Sequence, residues 1–380
     1  MAPLGVIARE WLRIGLTGFG GPPAHITLLR DLVVRRKGWM DARAFEDANA
    51  ACSLLPGPSS TQLSIFCAYR VGGPAGAVIG GLGFVVPAVV MVLALSVLFL
   101  ASAPPEWVRG AGAGAGAAVA AVAVRAGSEL VGPSYSHAIE GHGHRLRWLA
   151  YLVAGAVAAI FIGPYLVLVL LACGLFEIVR RTFNTNSVNG WSPAVLLLGA
   201  ASSGGIGALA WTALKVGALS FGGGFVIIPL MQADAVEVYH WMTDAQFLNA
   251  VALGQVTPGP VVATVAAVGY AAHGVGGAVL AAAVAFAPSF SFILLGGGRF
   301  ERLRSNEKAR GFLDGAGPAA IGAILGSAVP LAGALDEAWQ FAVLAASAVA
   351  LLAVRTGVVV TLVGAGAIGA VLALAGAPLP

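Results

Sequence analysis

The sequence predicts an all-α polytopic membrane protein made of two inverted-topology repeats with broken or re-entrant helices. Three observations carry that expectation. Hydrophobic residues make up 58% of the 380 residues and charged residues only 10%, with a mean hydropathy of +0.89, whereas an ordinary soluble domain carries roughly 25% charged residues. The tripeptide Pro-Gly-Pro occurs at Pro56-Gly57-Pro58 and again, 202 residues later, at Pro258-Gly259-Pro260. The loops flanking the two copies carry opposite charge bias, which the positive-inside rule translates into opposite orientation.

Taken in order, residues 1–181 form the first repeat, 182–203 a polar linker and 204–380 the second repeat. Arg9, Glu10 and Arg13 precede any long apolar run, unlike the layout of a removable signal, so residue 1 is expected to be retained. At the offset of 202, Gly15 matches Gly217 and Phe19-Gly20-Gly21 matches Phe221-Gly222-Gly223. Trp39-Met40 likewise matches Trp241-Met242, Phe45 matches Phe247, Gly72 matches Gly274 and Phe84 matches Phe286, without a gap. Each half closes with two apolar segments, 148–162 and 165–180 in the first, 339–354 and 357–375 in the second. They are short for a span of ~20 residues, so each pair reads either as two tilted helices or as one broken crossing.

Segment 30–43 holds Arg30, Arg35, Arg36, Lys37 and Arg43, while its mate 232–245 has no Lys or Arg and carries Asp234, Glu237 and Asp244. The first is placed in the cytoplasm and the second outside. The next loops reverse the bias: 102–109 has a single arginine, and 299–310 holds Arg299, Arg302, Arg304, Lys308 and Arg310. An odd number of crossings must then separate 30–43 from 102–109, although two apolar stretches lie between them. Segment 44–71 is the expected re-entrant hairpin with Pro56-Gly57-Pro58 at its tip, and 74–101 the crossing. Backbone of that kind survives at membrane depth only when buried in protein or lining a polar cavity. Gly20, Gly21 and Pro22 are expected to break a second helix, as are Gly222, Gly223 and Gly224 in the mate.

After each break a new helix exposes unspent amides, and proline suits its first position because it has no amide hydrogen to lose. Pro58 followed by Ser59, Ser60, Thr61 and Gln62 therefore reads as an anion-binding helix start. In the mate, Pro260 is followed by apolar residues until Thr264, so the first copy is expected to contact the anion more directly. Each helix start is equivalent to roughly +0.5 charge, and four converging starts supply about +2, a match for a tetrahedral dianion. The alternative is that Pro and Gly merely kink tightly packed helices.

Other residues carry two readings each. Arg13 and Lys215 coincide at the offset of 202 and either attract the anion or snorkel to the interface. Arg70 either gates the path or marks a cytoplasmic boundary. Glu46, Asp47 and His25 are the proton-coupling candidates; solvated entrance positions for the acids, and packing or a cap for the histidine, are the alternatives. His137, His142 and His144 lie in a loop without further metal ligands nearby. The three cysteines, Cys52, Cys67 and Cys173, lack paired spacing and read as packing residues. No phosphate loop, HExxH or nucleophile-base motif is present. No catalytic residue, metal or cofactor is expected, and the loop arginines set topology without implying nucleic acid.

The ordered motifs resemble a long-chain member of the chromate ion transporter family. The first half shows FGGPPAH (19–25), RRKGWMD (35–41), LLPGPSSTQ (54–62), YRVGGPAGA (69–77) and GLGFVVPA (81–88). The second shows LKVGALSFGGGF (214–225), GQVTPGP (254–260) and GYAAHG (269–274). The resemblance covers essentially the whole chain and implies export of chromate from the cytoplasm, with sulfate as the chemically similar alternative cargo. The sequence shows no ATP-binding motif, so a secondary carrier in the inner membrane is expected; moving two negative charges out of a cell that is negative inside makes the membrane potential the expected drive, with proton coupling as an open addition. A channel of the same architecture is the other alternative. The first half departs from the family pattern at Ser53, where glutamine is frequent; the glutamine occurs only in the second half, as Gln255. The expected partners are the oxyanion and membrane lipids, with a homodimer left open.

Overall fold

A computed structural model describes residues 2–53, 55–101, 103–139, 144–185, 205–220, 225–296 and 307–380. The Gly222–Gly224 break, most of the linker, His142 and Arg299, Arg302 and Arg304 lie outside the described residues. Among those described, every regular element is helical. Helix α1 (Leu4–Thr17) breaks at Gly18 and is followed by α2 (Gly21–Arg30), which continues as a π-helix over Asp31–Arg36. Helices α3 (Ala42–Ser53) and α4 (Ser59–Phe99) flank the first Pro-Gly-Pro. Then come α5 (Glu106–Ala117), α6 (Val119–Ile139), α7 (His144–Phe161) and α8 (Leu166–Thr185).

The same order returns with α9 (Ile206–Leu219), α10 (Ile227–Gln232) extended by a π-helix over Ala233–Val238, and α11 (Asp244–Val256). After the second Pro-Gly-Pro a 3-10 turn, Val261–Thr264, leads into α12 (Val265–Gly296). Helices α13 (Glu307–Gly333), α14 (Ala338–Ala348) and α15 (Val358–Leu374) complete the chain. The closing segments of both halves are thus separate helices, joined by short links at 162–165 and 354–357.

Correspondence between the halves extends to single backbone hydrogen bonds. Trp39 and Met40 both donate their amides to Val33, and Trp241 and Met242 both donate to Ala235, 202 residues on. Gly38 has φ +59°, and its counterpart His240 takes φ +50° despite its side chain. A bond from His240 Nδ1 to the Val236 carbonyl, 2.7 Å, helps hold that conformation. Much of the charged segment 30–43, expected as a loop, is helical through Arg36, because the π-turn is closed by these bonds.

Among the described residues, four stretches are long and apolar enough to cross a membrane: Ser59–Phe99, Glu106–Ser136, Val261–Gly296 and Arg310–Gly333. The first and third fold back on themselves. Gly73 takes φ 66° and ψ −160° inside α4, a conformation open only to glycine without strain. A Cβ on Gly81 would meet Ile65 at 3.0 Å, although 16 residues of straight helix would hold them about 24 Å apart. Residues 59–72 and 74–99 are therefore antiparallel arms. Gly274, φ 61°, makes the equivalent reversal in α12 together with His273, φ −146°. The second half thus turns on the partner of Gly72 rather than of Gly73, a one-residue shift in an alignment that has no gap in sequence.

Lengths follow from these breaks. Helix α3 and the arm 59–72 have 12 and 14 residues, about 18 and 21 Å, too short for a hydrocarbon core of ~30 Å. The arm 74–99 is about 39 Å long, ample for a crossing. The Ala2 amide bonds to the Val71 carbonyl at 3.1 Å, and Glu10 pairs with Arg36 and Lys37 at 3.6 and 3.5 Å. The open ends of the α1–α2 and α3–α4 hairpins consequently lie near one another, with their tips together at the far end.

Small residues knit the halves. Gly110 and Gly114 of α5 face Gly369, Ala365 and Ala373 of α15, while Gly155 of α7 faces Ala319 of α13. Each half thus packs a helix against the closing helices of the other, through backbone surfaces that lipid cannot drive together by hydrophobicity. A Cβ on Gly322 would run into the Leu152 carbonyl and would meet the Ala156 nitrogen at 3.0 Å, whereas at Gly317 nothing lies within 4 Å. Replacing Gly322 with valine should cost about 1–3 kcal/mol or more by overpacking. A melting curve of detergent-solubilised protein should show a lowered midpoint for Gly322→Val and little change for Gly317→Ala; equal midpoints would refute the α7–α13 packing.

Candidate functional site

Three chain breaks meet in the interior. At the first, α1 ends at Thr17, and Gly20 (φ 100°) and Gly21 (φ 71°) turn the chain into α2. Pro22 and Pro23 occupy the first turn of α2, which has no side-chain cap and, through the two prolines, few amides to offer. At the second break, Gly57 (φ 114°) lies between α3 and α4. Gln62 Nε2 donates to the Pro56 carbonyl at 2.7 Å, tying the tip to the helix that follows. No side chain caps α4, so its first-turn amides at Ser59, Ser60 and Thr61 have no side-chain partner. At the third, Gly259 (φ 101°) precedes the uncapped 3-10 turn, and Thr264 Oγ1 is consumed by the Val261 carbonyl at 2.7 Å.

The Gly18 carbonyl joins these breaks. It accepts His25 Nε2–H at 2.9 Å and the Gly259 amide at 3.0 Å. A carbonyl can only accept, so Nε2 carries the proton and Nδ1 faces the Ser60 hydroxyl, 3.4 Å away, as acceptor. The fully buried imidazole stands edge-on to Phe84 at 5.0 Å. Across the halves, a Cβ on Gly57 would meet Gln62 Nε2 at 2.8 Å, the Gly217 carbonyl at 3.0 Å and Ser289 Oγ at 3.5 Å; on Gly259 it would meet the Ala88 Cβ at 2.7 Å. Each Pro-Gly-Pro tip therefore packs on helices of the opposite half.

Polar atoms around the tips are left over. Thr61 Oγ1, Gln62 Oε1, Ser220 Oγ, Ser289 Oγ and Gln255 Nε2 are buried without a hydrogen-bond partner among the described residues. Each such atom costs about 1–3 kcal/mol unless something else satisfies it. A cavity of about 30 Å³ lies between the halves, lined by Gly20, Gly21, Gln255, Thr257 and Gly259 among others. Its volume suits one water molecule. Ser220 and Ser289 escaped the sequence reading. Ser289 aligns with Pro87 at the offset of 202, and an isolated serine in an apolar helix gives no signal until the fold sets it beside Gly57.

The remaining predicted residues lie elsewhere. Arg13 is exposed on α1, whereas Lys215 is bound to buried Asp234, at 2.8 Å to Oδ1, and lies over the Trp211 ring. Asp234 also accepts from Thr212 Oγ1 at 2.6 Å. The two cations that coincide in sequence thus occupy unlike surroundings. Arg70 is exposed near the Gly73 turn, about 16 Å along the helix from the Pro-Gly-Pro end. Glu46 is exposed and pairs with Arg30 at 3.1 Å; Asp47 is half-buried one residue further along α3.

Broken helices that bring uncapped starts and unspent polar atoms together at depth define a polytopic membrane transport protein. The model of the family described as chromate transporter matches residues 6–178 and 207–370. The chain belongs to the chromate transporter family and is a multi-pass inner-membrane protein. It is 33% identical over 337 residues to the chromate transport protein of Cupriavidus metallidurans, covering 86% of this chain and 82% of that one. It is 32% identical to the chromate transport protein of Pseudomonas aeruginosa over 85% of this chain and 80% of the relative. A probable chromate transport protein of Synechococcus elongatus is 30% identical over 86% of this chain and 84% of its own. No solved structure matches.

Gly57→Ala and Gly259→Ala test the tips. Both glycines combine positive φ with a crowded Cβ position, and strain of about 1–3 kcal/mol corresponds to at least about a fivefold loss. Transport by either variant should fall at least about fivefold while membrane abundance is kept. Wild-type flux in both would exclude the tip geometry from the transport step.

Proposed function

We propose that this protein exports chromate from the cytoplasm as a secondary carrier, with the oxyanion passing between the two Pro-Gly-Pro tips. The observation that supports this most strongly is the docking of Gly259 and His25 on one carbonyl, Gly18, beside buried polar atoms that have no hydrogen-bond partner among the described residues. Helix starts and hydroxyl or amide groups surround the node. Their partial charges attract a dianion without binding it so tightly that release fails.

On this reading residues 1–181 and 204–380 are inverted repeats joined by the 182–203 linker, and both hairpins of each half enter from one side. The substrate set comprises Gly20, Gly21, Pro22, Pro56–Gln62, Gly222–Gly224, Pro258–Pro260 and Thr264, to which Gln255, Ser220 and Ser289 are added. Within it the first tip carries the closer contact, because Thr61 has an unspent hydroxyl and Thr264 has not. Among the proton-coupling candidates only His25 touches the node.

Direction follows from charge. Moving two negative charges out of a cell that is negative inside gains about 4.6 kcal/mol per 100 mV. The cycle proposed is alternating access, in which the hairpins of one repeat rock against the other around the site. Proteoliposomes loaded with chromate should release it when an imposed potential makes the lumen negative, with sulfate competing. Absence of potential-dependent chromate flux would overturn the proposal, and sulfate flux without chromate flux would reassign the cargo.

A further inference from the structure

Two corners of the fold are built alike and charged unlike. At one, the start of α13 meets the start of α7 and the end of α8; at the other, the start of α5 meets the start of α14 and the end of α15. In sequence, segments 140–147, 177–181 and 299–314 of the first corner hold nine Lys or Arg against five Asp or Glu, a surplus equal to the net charge of +4 of the whole chain. Segments 102–109 and 334–338 of the second hold Arg109 against Glu106, Asp336 and Glu337. Excess positive charge is thus gathered where α7, α8 and α13 leave the apolar zone.

Buried Glu177 is the acceptor at the centre of the first corner. Its Oε1 accepts from Arg180 Nη2 at 2.5 Å and Arg181 Nε at 3.2 Å, and its Oε2 from the Tyr151 hydroxyl at 2.9 Å and Arg180 Nε at 3.2 Å. Four hydrogen bonds fill the about four lone-pair sites of a carboxylate. Arg147 arrives as a third guanidinium: its Nε stands 3.7 Å from Oε2, beyond hydrogen-bond range, and Nε and Nη2 have no hydrogen-bond partner among the described residues. Asp314 on α13 is paired with Arg181. Three guanidinium groups therefore face two carboxylates, and the unspent donors fall on Arg147, whose side chain is 28% exposed.

Apolar side chains border this network. Leu146 and Leu149 on α7 and Phe176 and Val179 on α8 are exposed, each pair three residues apart and so on one helix face. The Phe176 ring stands edge-on to Tyr151, 6.5 Å away, so the α8 stripe adjoins the Glu177 network. Surplus guanidinium charge beside lipid-facing apolar stripes at a helix end matches an amphiphilic anion, a phosphate with hydrocarbon attached, better than a free oxyanion. We propose that the junction of α7, α8 and α13 binds the headgroup of an anionic phospholipid. Arg147 supplies hydrogen bonds to the phosphate, exposed Arg145 and Arg310 add charge, and the acyl chains lie along the two apolar stripes. Because α7 and α8 belong to the first half and α13 to the second, the bound lipid fastens one half to the other, whatever the transported cargo.

Phosphatidylglycerol titrated into the detergent-solubilised full-length protein, with retained lipid counted by native mass spectrometry, tests the site, and phosphatidylcholine is the neutral probe. The wild type should retain phosphatidylglycerol at a concentration at least about fivefold lower than phosphatidylcholine. Arg147→Gln should raise the phosphatidylglycerol concentration needed about fivefold, the equivalent of about 1 kcal/mol for one basic group at a membrane surface. Arg109→Gln, at the opposite corner, should change it by less than about twofold. The melting midpoint in phosphatidylcholine shows whether each variant folds; if Arg147→Gln does not, Arg145→Gln, exposed and outside the Glu177 network, carries the same expectation. Equal retention of the two lipids by the wild type, or an unchanged phosphatidylglycerol requirement in the folded variant, would overturn the site. Arg147-dependent binding of sulfate without any preference between the lipids would overturn the lipid assignment in favour of a free oxyanion.

Discussion

The Gly18 carbonyl is the point on which the interior depends. It is freed by the end of α1 and spent twice, on the imidazole of His25 from the same half and on the Gly259 amide from the other. A helix running unbroken through Gly18 would consume that carbonyl in its own ladder. The second hairpin would then have no anchor, and its tip would bury an unpaired amide at membrane depth, where no water compensates it. The positive φ angles of Gly20 and Gly21 are thus the condition for the contact between halves, and the two prolines that follow fix where α2 resumes.

The same constraint explains why so apolar a chain tolerates so much irregular backbone. Short hairpin arms keep the described breaks inside protein, and longer helices packed through Gly and Ala lie beside them. Helix α5 lies on α15, and α13 on α7 and α8, so the closing helices of each half hold an element of the other. Such reciprocal packing makes the junction of the tips a property of the pair and not of either half alone. A rearrangement that separates the tips must also shift helices across those small-residue contacts.

Much of this was legible in sequence because it is encoded in residues with one dominant conformational meaning. Pro-Gly-Pro twice in register and Gly20-Gly21 each marked a break in the chain, and the Trp-Met pairs marked the register of the two halves. The Gly73 reversal was legible only as a boundary between two apolar stretches, since nothing in the local pattern distinguishes a kink from a full turn-back. The pairing of Lys215 with Asp234 was not legible, because the acid lies 19 residues away on a π-turn that had read as a solvent-facing loop. Ser289 was invisible for a related reason: its significance comes from its place beside Gly57 of the opposite half, and a serine in an apolar helix carries no periodic signal. Side chains whose role is set by a long-range neighbour are the ones that composition and spacing leave unread.

The account makes one claim on which the rest turns, that the oxyanion occupies the junction of the two tips. Chromium scatters anomalously, so a crystal of the chromate-bound protein would locate it directly. The account predicts a chromium peak between the Gly20-Gly21 turn, Gln255 and Gly259 on one side and Gln62 and Ser289 on the other, in a conformation with a larger central cavity. A peak confined to Lys215, Arg13 or Arg70, with the junction empty at saturating chromate, would contradict it.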